Sequence, residues 1–192
     1  MTEPRKVIVH IATSADGFIA RSDGDLEWLT SRPKPKGFYG IEAFMKTVDT
    51  HVLGRRTYDR SLELGAKFGS HERYVVFSRH SAPSTVPPGV EFVSEAIGPF
   101  IDRLRAQPGK DVWLMGGGDI IASFLDAGAI DEFVINVVPV FIGDGIPLIA
   151  RRERDVSLDL RSVERFDDGV VQLHYRVTPS SRRFDRRERV HG

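Results

Sequence analysis

The stretch VWLMGGGDIIASFLDAGAIDEF, residues 112–133, decides the fold. An apolar segment runs into three consecutive glycines, and a helical segment follows that ends near Gly128. Strand, glycine turn, helix and strand in this order are typical of α/β proteins with a parallel sheet. One helical face is formed by four apolar residues: Ile120, Ile121, Phe124 and Leu125.

Upstream of this stretch, strands and helices alternate. Residues 6–13, KVIVHIAT, are apolar on both faces and predict a buried central strand. The Asp- and Gly-rich residues 14–29 predict a long loop, and residues 51–54 a short strand. The residues after Gly54 predict one or two helical turns. A helical face is predicted by the spacing of Ile41, Phe44, Met45 and Val48.

The remaining segments complete the sheet. Strands are predicted at 74–78, in PPGVEFV, and at 111–115, with a helix after Pro99. FVINVVPVFIG, residues 133–143, predicts a long strand, and the last two apolar segments flank Asp167-Asp168-Gly169, a hairpin signal. We therefore predict a three-layer α/β fold, with a mostly parallel central sheet, an antiparallel C-terminal edge and helices on both faces.

The length of the chain predicts one domain, and its charge balance bears on its partners. The chain has 192 residues, 27 basic and 27 acidic, so no global field favours nucleic acid or an anionic membrane. We assign residues 1–178 to the domain and predict that residues 179–192 form an Arg-rich, flexible C-terminal tail. Its local positive charge fits a solvated tail, with an acidic partner as the alternative.

Several function classes are disfavoured. The absence of cysteine excludes disulfides, thiolate metal sites and cysteine nucleophiles, and fits a cytoplasmic protein. The six histidines lack ligand spacing, so no metal site is predicted. The first ten residues lack the apolar run of a signal peptide, and no segment suits a membrane span.

The segment Gly54-Arg55-Arg56-Thr57 predicts an anion site. Glycine, two guanidinium groups and a hydroxyl follow a strand, where a helix begins and offers free N–H groups and its positive dipole end. Arginine adds forked donors that suit phosphate oxygens. The alternative is an exposed arginine pair with Thr57 as the N-cap.

Two further elements lie at the ends of predicted strands. Gly116-Gly117-Gly118 permits close approach of a ligand to the backbone, although it is not a G-x-G-x-x-G fingerprint, and a tight turn without a ligand is the alternative. Ser78-Arg79 could reach a ribose or phosphate, or form only a turn. Ligands of open α/β sheets bind beyond the carboxyl ends of strands, so one phosphorylated dinucleotide would explain these elements together.

The order of these motifs resembles the dihydrofolate-reductase-like superfamily. Within it, the chain is most similar to the C-terminal reductase domain of the bacterial riboflavin-biosynthesis deaminase-reductase and to its stand-alone single-domain relatives. The resemblance covers roughly residues 6–176 and rests on five segments: SADGFIA, FMKTVDTHVLGRRTYD, YVVFSR, VWLMGGGDIIASFLDAGAIDEF and VVPVFIGDGIPLI.

The resemblance implies NADPH as the cofactor. It places the phosphate groups at Arg55, Arg56 and Thr57, and it implies a cis peptide between Gly116 and Gly117. The cofactor-binding residues that it implies are Ala12, Ile19 and Ala20 near the nicotinamide, Gly54 to Thr57 at the phosphates, Ser78 and Arg79 at the adenosine, and Met115, Gly116, Gly117, Gly118, Asp119, Ile120 and Ile121 at the pyrophosphate and ribose.

The substrate site is less well defined. Folate reductases carry an acidic residue that binds the pterin, but here the matching position is Phe38 or Tyr39, so dihydrofolate reduction is disfavoured. His10 could face the pocket or be a core histidine, the acidic loop residues could be solvated or relay a proton, and Trp28 could pack or stack. The candidate substrate-binding residues are His10, Asp25, Trp28, Phe38 and Glu42.

The sequence thus predicts an NADPH-dependent reductase that transfers hydride to a small heterocyclic or carbonyl substrate. One candidate reaction is that of 5-amino-6-(5-phosphoribosylamino)uracil reductase in riboflavin biosynthesis. A non-catalytic NADP(H)-binding or sensing module is the alternative, and no catalytic residue is assigned. The resemblance also implies a homodimer, to which FVINVVPVFIG is a candidate contributor.

Overall fold

The computed structural model describes residues 4–33, 35, 37–69 and 72–178. The Arg-rich segment 179–192 lies outside the described residues. Within them, no helix combines the length and apolar character needed to cross a bilayer.

The described residues form ten strands and five helices. The strands are β1 Val7–Ser14, β2 Phe18–Ala20, β3 Val48–Gly54, β4 Arg73–Phe77, β5 Val90–Val93, β6 Asp111–Gly116, β7 Glu132–Val138, β8 Ile146–Pro147, β9 Leu158–Arg165 and β10 Val171–Val177. The helices are α1 Glu27–Thr30, α2 Ile41–Met45, α3 Arg55–Glu63, α4 Ile97–Arg105 and α5 Gly118–Asp126.

The central sheet has the order β5-β4-β3-β6-β1-β7-β10-β9. Neighbouring strands from β5 to β7 are all parallel, whereas β10 runs antiparallel to both of its neighbours, β7 and β9. β2 and β8 form a separate antiparallel pair. This architecture confirms the predicted mostly parallel sheet with an antiparallel C-terminal edge.

Helices cover both faces of the sheet, as predicted. On one face, Phe100 and Ile101 of α4 pack with Phe124 of α5 over strand residues such as Val9 and Val52. On the other face, Tyr58 of α3 packs with buried residues of β3 and β4. Burial of these apolar side chains stabilises the three layers.

Three sequence-based boundaries were wrong. The predicted loop 14–29 contains β2 and the first three residues of α1. The helix around Phe44 ends at Met45, and Val48 instead begins β3. The long strand predicted for 133–143 ends at Val138, because Pro139 has no N–H group with which to continue the ladder. In the last two cases an apolar period continued across a turn, whereas in the first a short strand and a short helix lie inside a polar segment.

Candidate functional site

Helices α3 and α5 begin at the same edge of the sheet. β3 and β6 are neighbouring parallel strands, and each leads directly into one of these helices. A Cβ atom built on Gly117 would lie 3.3 Å from the Thr57 hydroxyl oxygen, and one on Gly54 would lie 3.6 Å from the Ile120 side chain. The two helix N-termini therefore converge beyond the carboxyl ends of the central strands.

Both helices begin without a side-chain cap. The N-cap residues are Gly54 in α3 and Gly117 in α5, and neither position supplies a side-chain acceptor. The first-turn N–H groups therefore stay available to a ligand, and the helix dipoles favour an anion there. The alternative that Thr57 is an N-cap was wrong, because α3 already begins at Arg55.

The two arginines of this segment have different surroundings. The Arg55 Nε atom donates to both oxygens of Asp59 at 2.9 and 2.8 Å, and a terminal nitrogen donates to the Ser81 carbonyl at 3.3 Å. Its guanidinium also lies 5.3 Å from the centre of the Phe92 ring. Arg55 is therefore held by its own domain.

Arg56, in contrast, extends into solvent. Its side chain is 92% exposed, and its one described ion pair is a 3.7 Å approach to Asp119, itself 69% exposed. An exposed pair at this distance contributes little to stability. Arg56 is therefore the arginine whose guanidinium can turn toward an incoming phosphate at small cost.

The glycine turn packs tightly against the pair formed by β2 and β8. The Gly116–Gly117 peptide bond is cis, as the resemblance implied. A Cβ atom on Gly118 would lie only 2.3 Å from the Pro147 carbonyl oxygen. The Ile19 Cδ1 atom lies 3.8 Å from the Cβ position of Gly117. The structure thus brings Ile19 and the glycines together, although they are far apart in sequence.

Asp16 links the turn after β1 to the segment that precedes β8. Its carboxylate accepts N–H bonds from Ile142 at 3.1 Å and Gly143 at 2.8 Å, and a hydroxyl bond from Ser14 at 2.5 Å. The Ser14 hydroxyl bond is the main reason that the pKa of Asp16 is lowered, and the two N–H groups add to the effect. Asp16 is therefore a structural link between two loops, which its place in an acidic segment did not reveal.

Ser78 and Arg79 lie at the neighbouring strand end. Ser78 is buried, and its hydroxyl donates to the His80 carbonyl at 2.9 Å and accepts the His80 N–H at 3.1 Å. Arg79 is exposed. The hydroxyl of Ser78 thus closes a local turn, and Arg79 is the side chain of the pair that faces outward.

A buried polar group lies on the opposite side of β1 from the α5 core. His10 is 5% exposed, and its Nε2 atom lies 3.2 Å from the Nδ2 atom of Asn136. Gln172 bonds Asn136 in turn at 2.8 Å. Asn136 and Gln172 carried no sequence signal, because they lie 36 residues apart on different strands and belong to no motif.

Burial lowers the pKa of His10 to about 4, and the neighbouring His174 contributes to the decrease. The Tyr39 carbonyl opposes this shift. His10 is therefore a neutral imidazole at neutral pH.

The other candidate substrate residues do not form one group. Trp28 is buried with Tyr39 in a cluster that Ala12 packs against. Asp25 accepts the Glu27 N–H at 3.1 Å and so supports the start of α1. Phe38 and Glu42 lie at the surface, at the turn before α2 and in its first turn. Across the described part of the chain, no cluster of His, Asp and Glu could hold a metal ion.

Residues 5–172 match the family model of the RibD C-terminal domain. The chain belongs to this family. A relative from Bacillus subtilis (strain 168), the uncharacterized protein YwjB, is 36% identical over 171 residues, which cover 89% of this chain and 97% of the relative. Membership of the RibD C-terminal domain family supports a reductase-like role.

Solved structures agree with this placement. A protein from Shewanella sp. PV-4 that is named for riboflavin biosynthesis has a TM-score of 0.80 and 33% identity, over 91% of this chain and 99% of its own. A Thermotoga maritima deaminase and 5-amino-6-(5-phosphoribosylamino)uracil reductase has a TM-score of 0.70 and 19% identity, over 92% and 57%.

A more distant structure is the dihydrofolate reductase from Enterococcus faecalis, complexed with NADP(H), at a TM-score of 0.64 and 15% identity, over 91% and 97%. The sequence identity of these last two structures is low, so their similarity establishes only the fold. The chain shares this fold with the folate reductase.

Proposed function

We propose that this chain is an NADPH-dependent reductase that transfers hydride to a small heterocyclic or carbonyl substrate. The observation that carries the proposal is the meeting of two glycine-capped helix N-termini, where Thr57 lies 3.3 Å from the Cβ position of Gly117. Such a crevice offers backbone donors and a positive dipole end to a pyrophosphate.

The residues present fit a dinucleotide. The first turns of α3 and α5, with the Thr57 hydroxyl, would hold the pyrophosphate, and Arg56 would meet a 2′-phosphate. Ile19 lies next to the Cβ position of Gly117, and Ala12 lies on the same face of β1 as His10; both would bound the nicotinamide. NADPH supplies the hydride when it is bound, and the chain's own residues orient the reactants and exclude water.

The substrate that we propose first is 5-amino-6-(5-phosphoribosylamino)uracil or a related small heterocycle. This proposal is supported by membership of the RibD C-terminal domain family and by the reaction for which the Thermotoga maritima structure is named. Dihydrofolate is disfavoured, because the position of the pterin-binding acid is occupied by Phe38 or Tyr39 and the nearby Glu42 is exposed.

A titration tests the cofactor. NADPH and NADH binding would be measured by fluorescence on the wild type and on the Arg55→Ala/Arg56→Ala double variant. We expect a preference for NADPH of at least about tenfold, or about 1.4 kcal/mol, that disappears in the double variant. If neither dinucleotide binds to the folded wild type, the reductase proposal is wrong.

A non-catalytic NADP(H)-binding module is the second candidate. Reduction of a C=N or C=O bond also needs a proton, whereas a binding module needs only the dinucleotide site. The two candidates differ in turnover. Oxidation of NADPH with a panel of heterocyclic and carbonyl substrates supports the reductase, whereas tight binding without oxidation on any of them supports the module.

We also propose a second copy of the chain as partner. β7 is paired on both edges, so the segment 133–143 could contribute mainly through Phe141, which is 79% exposed. β9, in contrast, is the last strand of the sheet. A bulge opposite His174 and Tyr175 places Leu160 and Val163 on the same face, where each is 56% exposed. This free apolar edge is a natural site for strand pairing.

A further inference from the structure

A cavity of about 320 Å³ lies between the end of α5, β7 and the start of β9. Side chains of these elements and of the segment after β8 form its apolar wall: Leu125, Phe133, Ile135, Leu148, Ile149 and Leu158. Leu125 and Ile135, for example, pack against the main core but stay only partly buried. The volume is within the range of small-molecule sites, and an apolar wall of this kind favours an apolar ligand.

The charged part of the wall is entirely basic. Alternate side chains of the segment 152–158 line the cavity: Arg152, Arg154, Val156 and Leu158. This alternation is that of an extended chain, and the acidic Glu153 and Asp155 between them do not belong to the wall. Arg151 also lines the cavity, so three guanidinium groups and no carboxylate face it among the described residues.

One carboxylate serves two of these arginines. Arg152 pairs with Asp126 and donates from Nη2 to the Ser123 hydroxyl at 3.1 Å. Arg154 donates from Nε to Asp126 at 2.8 Å and from Nη1 to the Ala150 carbonyl at 3.2 Å. The bond from Arg154 is the main reason that the pKa of Asp126 is lowered, and Arg152 adds to the effect. A single negative charge thus balances two guanidinium groups.

Two basic groups of the wall are left without a partner. The Arg154 side chain is 14% exposed, and its Nη2 atom is buried without a hydrogen bond among the described residues. Arg151 is exposed and pairs with no described residue. A guanidinium group is always charged, and buried donors are almost always satisfied. The two groups therefore indicate an anionic partner that enters the cavity.

The cavity is separate from the dinucleotide crevice. Gly118 begins α5 at the crevice, whereas Leu125 lies about 10 Å further along the helix axis. The two regions share only a supporting segment, since Ala150 lines the cavity and donates its N–H to the Gly118 carbonyl at 3.1 Å. A ligand in the cavity would therefore neither need the cofactor nor displace it.

We propose that this cavity binds a small amphipathic carboxylate, with its aliphatic body against the apolar wall and its head group at Arg151 and Arg154. A carboxylate fits because it can accept two parallel N–H bonds from one guanidinium group. The Arg-rich segment 179–192 has the same sign of charge as the wall, which disfavours it as the occupant. This site is additional to the one proposed for NADPH and its hydride acceptor.

The ligand class is tested with octanoate, its neutral analogue octanamide, and acetate, which has the head group without the body. Binding of each to the wild-type chain would be measured by calorimetry without a dinucleotide. We expect octanoate to bind at least about tenfold more tightly than either of the others. Equal affinities for octanoate and octanamide would overturn the inference, as would the absence of octanoate binding.

The position of the site is tested with three variants. Arg151→Gln should weaken octanoate binding about tenfold and remove the preference over octanamide, and its exposed position leaves the fold intact. Val156→Trp should fill the cavity and abolish binding. The matched control is Arg161→Gln on β9, an exposed arginine without a described partner and outside the cavity wall. Equal octanoate affinities in Arg151→Gln and Arg161→Gln would overturn the inference.

Two further measurements exclude other sites and another occupant. Saturating NADP⁺ should change octanoate affinity by less than about twofold, because the sites are separate. Displacement of octanoate would place it in the crevice and overturn the inference. Octanoate should also leave the mass in light scattering unchanged, and dissociation of a dimer would assign the cavity to a second copy instead. If NADP⁺ does not bind, the proposed function fails while the comparison of the arginine variants still stands.

Discussion

The Thr57 hydroxyl oxygen lies 3.3 Å from the position that a Cβ atom on Gly117 would occupy, so α3 and α5 meet with room for backbone and little more. One residue further on, the Cβ position of Gly118 is 2.3 Å from the Pro147 carbonyl oxygen. The first contact is with a hydroxyl that can rotate away, whereas the second is with backbone. The neighbouring glycines should therefore respond differently to the same substitution.

Gly117→Ala is expected to weaken NADPH binding about tenfold and to change the free energy of unfolding by less than about 1 kcal/mol, because Thr57 can yield by a few tenths of an ångström. Gly118→Ala is expected to destabilise the fold by more than about 2 kcal/mol, because the Pro147 backbone must move. Fluorescence titration and urea unfolding measure the two effects.

Gly98→Ala is the matched control for both variants. Gly98 lies in α4, and a Cβ atom there meets nothing within 4 Å, so the variant should bind NADPH normally and gain up to about 1 kcal/mol of stability. Equal losses of affinity in Gly98→Ala and Gly117→Ala would contradict a cofactor role for the glycine turn.

Replacement of Arg55 and replacement of Arg56 should have different effects on cofactor preference and on stability. Arg56→Ala is expected to remove the preference for NADPH over NADH without a change in stability, because the side chain is 92% exposed. Arg55→Ala is expected to destabilise the protein by about 1 kcal/mol, because Asp59, the Ser81 carbonyl and the Phe92 ring lose a partner. A preference lost in Arg55→Ala but kept in Arg56→Ala would show that Arg55, and not Arg56, binds the 2′-phosphate.

Asp119→Asn provides a further check on Arg56. Removing this carboxylate frees the guanidinium and reduces negative charge at the N-terminus of α5, so NADPH binding should become tighter while NADH binding changes less. A weaker affinity for NADPH in this variant would indicate that Asp119 itself binds the cofactor.

Much of the fold could be predicted because local patterns and the sheet agree. The apolar strands, the helix after the glycines and the hairpin at Asp167-Asp168-Gly169 each carry their own signal, and the parallel order follows from their alternation. The errors occurred where a short element lies inside a polar segment, as with α1, or where proline interrupts an apolar one, as after Val138. The structure of such segments is determined by tertiary contacts, because their apolar residues show no helical or strand periodicity.

The candidate site could be predicted only where one motif carries the chemistry. The segment Gly54 to Thr57 and the three glycines follow strands, so their meeting at one sheet edge was foreseeable. The difference between Arg55 and Arg56 was not, because it depends on Asp59 and on the distant Ser81 carbonyl. The group formed by His10, Asn136 and Gln172 joins three strands, and a polar residue on one strand carries no signal of its partners on the others.

Acid should destabilise the fold through His10. Its pKa is about 4 in the folded protein against 6.5 for an unburied histidine, so the unfolded chain takes up the proton first. Stability from the neutral ring is complete above about pH 6.5 and is lost as the pH falls toward 4, by about 3 kcal/mol in total. Urea unfolding of the wild type and of His10→Phe would be measured across this pH range. The contribution of His10 is the difference between the two proteins in the slope of unfolding free energy against pH.

Other groups titrate in the same range, which is why the comparison is with a variant. Burial also lowers the pKa of His51, and the pKa of Asp168 is lowered chiefly by its bond from the Tyr39 hydroxyl. Both groups remain in His10→Phe and should contribute similarly to each protein. Parallel pH profiles for the two proteins would mean that His10 is not held neutral by burial.

The homodimer proposal is tested at β9. Pairing of two β9 strands antiparallel about Ser162 would set Asp159 of one copy opposite Arg165 of the other and bring the exposed Leu160 and Val163 of both copies together. Leu160→Asp/Val163→Asp should therefore give a monomer in light scattering, with unfolding of the monomer little changed, because both side chains are exposed.

Leu62→Asp is the control for this double variant. Leu62 is 43% exposed on α3, away from β9, so its replacement adds a charge to another exposed apolar position and should leave the dimer intact. A wild type with the mass of one chain at every concentration would rule out the homodimer. A dimer that persists in the β9 variant would place the interface elsewhere, and the exposed Phe141 would then be the next side chain to replace, because it belongs to the apolar segment that continues from β7.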